Sequence, residues 1–152
     1  FRQYNETKST GLPQVLGVQA AGSAPLVLGH PVDNPETVCT AIRIGKPARG
    51  EQALQAAEES KGRIIAAADE QILHMQRTLA QLEGIWVEPA SAAGLAGLSI
   101  ELTKSRQEFQ GRRVVAICTG HGLKDPDIIT KDMQRPLVVP PKLEALEEVI
   151  LG

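Results

Sequence analysis

Three short apolar runs that alternate with helical patterns constrain what this chain can fold into. The runs cover residues 15–20, 63–67 and 114–118, and the last of them is the strongest strand pattern. Helical patterns cover residues 35–42, 50–60, 69–83, 89–102 and 142–150, and Asp69 is expected to cap the third of these helices. Strands that alternate with helices are typical of α/β folds. We therefore predict a three-layer α/β architecture in which helices flank a mainly parallel sheet.

Three strands are few for such a sheet, which suggests that the sheet continues in chain that is not present here. We expect its partner strands to lie in chain outside these 152 residues. The sequence begins Phe1-Arg2-Gln3-Tyr4-Asn5, without an initiator Met or a signal-peptide pattern. We therefore expect a fragment of a longer protein or a processed product.

Composition and charge exclude several classes of protein. Sixteen Lys and Arg against eighteen Asp and Glu give a net charge of −2, so a strongly basic nucleic-acid-binding protein is excluded. A hydrophobic content of 42% is enough for a core, which excludes disorder of the whole chain. No apolar run approaches the ~20 residues that a membrane span needs. Two cysteines, Cys39 and Cys118, suit a reducing compartment, and we predict a cytoplasmic protein.

The most informative motif is the loop Thr119-Gly120-His121-Gly122, which directly follows the third apolar run. Ligands of open parallel sheets bind beyond the carboxyl ends of strands. Glycines there allow the backbone to approach a ligand, and a hydroxyl supplies one directed hydrogen bond. The same spacing also suits a tight turn at the end of a strand, so both interpretations remain open at this point.

A second candidate is Glu88, which precedes a helix that begins with Pro89 and continues in small residues. A carboxylate at this position suits the positive end of the helix dipole, and this alone explains it. The functional alternative places Glu88 beside a ligand held at the start of the helix. The three histidines and two cysteines have no metal-ligand spacing, so we predict no metal site.

Four stretches together carry a resemblance to a known family. They are residues 19–27 (QAAGSAPLV), 40–45 (TAIRIG), 83–93 (EGIWVEPASAA) and 119–126 (TGHGLKDP). In their order and spacing they resemble the C-terminal part of the threonine synthase family, whose members are pyridoxal-phosphate enzymes of fold type II. The resemblance covers roughly residues 11–133 and gives a domain of residues 1–133, followed by a C-terminal extension with a helix over residues 134–152.

The resemblance implies a reaction, a cofactor and a set of residues that face it. The reaction converts O-phosphohomoserine and water to threonine and phosphate, with pyridoxal 5'-phosphate as cofactor. Thr119 matches the residue whose hydroxyl bonds the pyridine nitrogen, with Gly120 beside it. Ala41 and Ile42 match a segment near the ring, and Glu88 matches a carboxylate at the cofactor edge.

The resemblance also implies what this chain lacks. The Schiff-base lysine and the Gly-Asn-rich loop for the cofactor phosphate belong to the family's N-terminal part, and neither motif occurs here. We therefore predict no catalytic residue in these 152 residues and an inactive isolated chain. The implied partners are the missing N-terminal part of the same enzyme, the substrate O-phosphohomoserine and, in a homodimer, a second copy.

Two other functions compete with this interpretation. The first is a piece of a different fold type II enzyme such as a threonine dehydratase, which would release ammonia and a keto acid instead of phosphate. The second is a non-catalytic small-molecule-binding α/β module, which would bind a ligand without turnover.

Overall fold

The computed structural model describes residues 1–9, 11–130 and 137–151. Within them, 3₁₀ turns cover Ala21–Ser23, Thr40–Ile42, Arg106–Phe109 and Gly122–Lys124. The helices and strands in chain order are α1 (Arg2–Lys8), β1 (Leu16–Ala20), α2 (Pro25–Leu28), α3 (Gly50–Glu59), β2 (Arg63–Ala67), α4 (Asp69–Glu83), α5 (Pro89–Lys104), α6 (Asp127–Thr130) and α7 (Leu143–Leu151).

The two strands form a parallel pair, as the alternating pattern predicts. Leu16 lies opposite Arg63 and Ala20 lies opposite Ala67, so the carboxyl ends of both strands meet at one edge. The connection from β1 to β2 includes α2 and α3, which is the crossover that parallel strands require. This confirms the α/β class with a parallel sheet.

Helix α5 packs against both strands, and α4 packs against α5. Small residues make this close approach feasible, because Gly97 faces Val18 of β1 so closely that a Cβ atom would overlap the valine side chain. The buried core therefore centres on one face of α5. Its apolar members are Ala20, Cys39, Ala67, Ile72, Val87, Ala92, Ala93 and Ala96.

The ends of α4 are set by local chemistry that differs from the prediction at one end. Gly84 ends the helix in the left-handed conformation, with φ of 67°, as glycine commonly does. At the start, Ala68 is the N-cap and its N–H donates to Gln71 Oε1 at 2.9 Å. The expected capping by Asp69 is wrong, because its carboxylate binds Thr37 and Val38 in the preceding loop.

The same contacts explain why no helix forms over residues 35–42. Thr37 Oγ1 donates to Asp69 and also accepts the N–H of Cys39 at 3.0 Å, while Val38 N–H donates to Asp69. Backbone donors that bind side chains are lost to a helical ladder. Of the predicted helix, only the 3₁₀ turn Thr40–Ile42 is present.

The predicted third strand over residues 114–118 is also wrong in this structure. These residues have no regular secondary structure and are exposed, with Val115 at 79% and Ile117 at 77% of their full exposure. A strand exists only beside a partner, and within the described residues this segment pairs with none. The boundary predicted after residue 133 falls in residues 131–136, outside the described residues. The helix predicted over residues 142–150 is present as α7.

Candidate functional site

The segment before α5 and the glycine loop pair directly with each other. Val87 and His121 form an antiparallel bridge, in which Glu88 N–H donates to Gly120 O at 3.0 Å and Gly122 N–H donates to Trp86 O at 3.2 Å. Side chains from the first segment cover the glycines of the second. A Cβ atom at Gly120 would overlap the Glu88 carboxylate, and one at Gly122 would overlap the Trp86 indole. Both glycines are therefore required for this close packing.

Ser91 joins the start of α5 to the loop at Thr119. Its side chain is buried, and its Oγ accepts the N–H of Thr119 at 3.2 Å and the N–H of Gly120 at 2.7 Å. The same oxygen lies 3.0 Å from Thr119 Oγ1. One serine thus holds both the backbone and the hydroxyl of Thr119. Thr119 itself is an exposed residue.

Glu88 is the N-cap residue of α5, but its side chain does not cap the helix. Its carboxylate is buried, with the residue only 3% exposed, and Oε2 lies 3.4 Å from Lys124 Nζ. Lys124 belongs to the 3₁₀ turn that follows the glycine loop and is itself exposed. The carboxylate therefore pairs with a lysine, and capping of the helix does not explain its position.

The turn Thr40–Ile42 belongs to the same region of the molecule. Thr40 Oγ1 donates to Asp125 Oδ2 at 2.7 Å, which links the turn to the segment that follows the glycine loop. Ser23 Oγ donates to Ile42 O at 3.3 Å, and the turn also packs against α5. Ile42 is half-buried against the core, whereas Ala41 is exposed. The structure thus brings four of the five predicted residues into one connected set through α5, and Ala41 lies on the exposed side of the turn.

Asp69 and Thr37 hold the loop that directly precedes this turn. The Asp69 carboxylate accepts the Thr37 hydroxyl at 2.5 Å and the Val38 N–H at 2.8 Å, which anchors the loop to the start of α4. Cys39, at the end of this loop, is fully buried. Burial raises the pKa of its thiol to about 11, although the hydrogen bond with Thr37 acts in the opposite direction. Cys39 is therefore a packed, protonated residue beneath the turn.

Three residues of this network were not predicted from the sequence: Ser91, Asp125 and Asp69 in its loop-anchoring role. Ser91 stands three residues after Glu88, at the third position of a helix that starts with proline. Its hydroxyl binds residues 28 and 29 positions further along the chain, so no local pattern reveals the pairing. Asp125 and Asp69 gave no signal either, because their partners are 85 and 32 residues away in sequence.

The described parts of the chain contain neither a cluster of three metal-ligand side chains nor a helix that could span a membrane. Across residues 1–9, 11–130 and 137–151, no group of three His, Cys, Asp or Glu side chains is arranged to hold a metal ion. None of the helices in these ranges combines the length and apolarity that crossing a bilayer requires.

Comparison with known proteins gives consistent results. Residues 1–120 match the family described as pyridoxal-phosphate dependent enzyme. Similar curated proteins are the threonine synthases of Mycobacterium leprae, 48% identical over 98% of this chain and 42% of the relative, and of Halalkalibacterium halodurans, 43% identical over 100% of this chain and 43% of the relative. The threonine synthase of Synechocystis is 49% identical over 84% of this chain and 33% of the relative. The chain thus spans about two fifths of the length of the first two relatives.

A solved structure supports the fold independently. The crystal structure of a threonine deaminase from T.th. matches 67% of this chain and 38% of its own length, with a TM-score of 0.50 and 24% identity. That likeness concerns the fold alone. The match to the family model extends over 120 of the 152 residues and includes β1, β2, α5 and Thr119. The chain belongs to the family of pyridoxal-phosphate-dependent enzymes.

Proposed function

We propose that this chain forms the C-terminal part of a threonine synthase, a carbon–oxygen lyase that converts O-phosphohomoserine and water to threonine and phosphate. The single observation that carries the proposal is that the exposed residue Thr119 has its hydroxyl and backbone held by Ser91 beside the start of α5. The similarity to threonine synthases over nearly the whole chain supports this member of the family.

The residues at Thr119 suit the cofactor. When bound, pyridoxal phosphate stabilises negative charge that develops on the substrate. Thr119 would donate a hydrogen bond to its ring nitrogen, and a neutral hydroxyl does not force protonation of that nitrogen. Gly120 allows the backbone next to Thr119 to pack directly against the Glu88 carboxylate, because a side chain at this position would displace that carboxylate.

Ala41, Ile42 and Glu88 form the surroundings of the ring in this proposal. Ala41 presents a small, exposed side chain from the turn that Thr40 fixes to Asp125. Ile42 supports that turn from the core side. Glu88 is paired with Lys124, so it supplies a compensated charge at the edge of the ring.

The N-terminal part of the same enzyme is the proposed partner. It supplies the lysine that binds the cofactor covalently and the loop that binds its phosphate. Every lysine in the described part of this chain is exposed, which does not suit a desolvated nucleophile. The exposed apolar segment at residues 114–118 supplies a surface for added strands. The proposal extends to a homodimer and to the cytoplasm, which suits the two unpaired thiols.

The test uses the full-length gene product. With pyridoxal phosphate and O-phosphohomoserine, it should release phosphate and threonine in equal amounts. Thr119→Val should lower cofactor affinity, whereas Thr103→Val, an exposed threonine on α5 whose hydroxyl binds Ser99 O, should not. Release of ammonia and a keto acid from threonine, without phosphate release, would identify a dehydratase instead. Cofactor binding with neither reaction would identify a non-catalytic module.

A further inference from the structure

We propose that Ser91 is a positioning residue that keeps the hydroxyl hydrogen of Thr119 free, so that Thr119 acts as a hydrogen-bond donor to the cofactor ring. The inference rests on the proposed function, because it concerns the same site. It adds a residue that does not touch the cofactor and assigns the direction of a hydrogen bond.

The Ser91 hydroxyl lies in a buried environment with three polar neighbours. The residue is 4% exposed, so water does not compete for this group. Its Oγ has three neighbours at hydrogen-bond distance: Thr119 N at 3.2 Å, Gly120 N at 2.7 Å and Thr119 Oγ1 at 3.0 Å. The two nitrogens are backbone N–H groups and can only donate.

The donors and acceptors of the Ser91 hydroxyl determine the direction of its hydrogen bond with Thr119 Oγ1. A serine hydroxyl has one hydrogen and two acceptor lone pairs. The N–H groups of Thr119 and Gly120 occupy both lone pairs, so the remaining bond must use the Ser91 hydrogen. Ser91 is therefore the donor and Thr119 Oγ1 the acceptor. Among the described residues, Thr119 Oγ1 forms a hydrogen bond only with Ser91, and its own hydrogen is left for a ligand.

This arrangement favours one protonation state of the cofactor's ring nitrogen, which Thr119 faces. A ring nitrogen without a proton accepts the free hydrogen, and the bond from Ser91 strengthens Thr119 as a donor because consecutive hydrogen bonds polarise one another. A protonated ring nitrogen would instead leave the Thr119 hydrogen without a partner, which is unfavourable in a closed site. Ser91 thus biases the site towards a neutral ring nitrogen.

The experiment measures the ring nitrogen directly in the full-length gene product, loaded with pyridoxal phosphate that carries ¹⁵N in the ring. We expect Ser91→Ala to lower cofactor affinity about five- to tenfold, the effect of one hydrogen bond. The ¹⁵N resonance should move towards its position in Thr119→Val. In the double variant it should stay where Thr119→Val alone puts it, because the two side chains act as a unit. Ser99→Ala, an exposed serine on the same helix, should change neither quantity.

A cofactor-free measurement accompanies the spectra. Ser91→Ala removes the acceptor of the Thr119 and Gly120 N–H groups, so both amides should exchange with deuterium faster, whereas Thr119→Val should leave the Gly120 amide protected. If Ser91→Ala does not fold, Ser91→Cys retains the shape with a weak hydrogen-bonding group and should move the resonance in the same direction.

The outcomes separate this inference from the function on which it rests. An unchanged ¹⁵N resonance in Ser91→Ala, together with a shifted one in Thr119→Val, would overturn the role of Ser91 alone. An unchanged resonance and affinity in Thr119→Val would overturn the proposed contact of Thr119 with the ring, and the role of Ser91 with it.

Discussion

Single residues at this site are recognisable from the sequence only when their partners are close in the chain. Glu88 precedes a proline and Thr119 precedes Gly120, each at the end of an apolar run, which is a local pattern. Ser91 meets Thr119 and Gly120 across 28 and 29 residues, and no local pattern contains that pairing. The candidate residues could therefore be predicted, whereas the residue that organises them could not.

Cys39 supports a prediction at this scale. Its thiol is fully buried and its pKa is raised to about 11, so at pH 8 it is protonated and shielded, and the reactive thiolate is scarce. Cys118 is exposed. Iodoacetamide at pH 8 should therefore modify the native 152-residue chain once, at Cys118, as measured by peptide mass spectrometry. Modification of both thiols should require denaturant, and rapid labelling of Cys39 in the native chain would contradict its placement.

Two Gly→Ala substitutions in helix α5 should change the free energy of unfolding in opposite directions. Gly97→Ala places a Cβ atom against the Val18 side chain, and overpacking of this kind costs about 1–3 kcal/mol. Gly94 is exposed and has open space where a Cβ would lie, so Gly94→Ala should stabilise the helix by about 0.5–1 kcal/mol. Urea unfolding of the two variants should give shifts of opposite sign. Equal shifts would mean that α5 does not pack on β1 as described.

The carboxylate of Glu101 near the end of α5 gives the fold a defined pH dependence. Lys104 donates to it at 3.0 Å and Arg63 lies beside it, and these cations hold the pKa of Glu101 below its usual range. The unfolded chain therefore takes up this proton at higher pH than the folded chain. The stability that Glu101 contributes is present above its ordinary pKa of about 4.3 and is lost as pH falls through the lower, folded-state value.

Glu101→Gln tests this dependence against a matched control. At pH 7 it should reduce the free energy of unfolding by about 1–2 kcal/mol, because a buried charge-assisted hydrogen bond is lost. The difference from the unmodified chain should shrink as pH falls towards 3. Glu108→Gln, which removes the exposed partner of the same Arg63, should change stability by less than about 1 kcal/mol. A pH-independent effect of Glu101→Gln would exclude the ionised carboxylate as its cause.

Helices and strands, like single residues, could be predicted where local sequence signals determine them and could not where tertiary contacts do. Helices α3, α4, α5 and α7 and both strands follow from periodicity, small residues and terminal glycines, which are local signals. The helix expected over residues 35–42 is replaced by side-chain bonds to Asp69, a tertiary contact. The run over residues 114–118 has the composition of a strand, but a strand requires a partner, and composition does not supply one.

The molecule as a whole has more surface than its mass requires. It exposes 11382 Å², whereas a compact folded protein of 16.3 kDa exposes about 7,500 Å². Apolar side chains contribute to this excess at residues 114–118 and along α7. Within the described residues, a sheet of two strands covered by α5 is a small core, and this agrees with a chain that matches about two fifths of the length of its relatives.

We expect the isolated 152-residue chain to make no threonine. Covalent catalysis needs an amine in a desolvated pocket, and the described lysines are exposed. Thr119 offers one neutral hydrogen bond, worth on the order of 1 kcal/mol, which is too little to retain the cofactor. The chain should be incubated with pyridoxal phosphate and O-phosphohomoserine, and phosphate should be measured over time, with the full-length gene product as control. Phosphate release by the isolated chain at an enzymatic rate would show that it contains the catalytic lysine.

The exposed segment at residues 114–118 leads to a prediction about assembly. Val115 and Ile117 are two residues apart, so in extended backbone they lie on one face, and both are among the most exposed apolar side chains. This run leads directly into Thr119, whose hydroxyl binds Ser91. If residues 114–118 form a strand, the strand and Ser91 together position Thr119.

In the isolated chain the amides of residues 114–118 should exchange with deuterium within seconds, because the described structure gives them no strand partner. In the full-length gene product they should be strongly protected, while the exposed end of α4 near Leu82 serves as an internal reference. Equally fast exchange in both proteins would show that the segment remains uncovered, and that Thr119 relies on Ser91 alone.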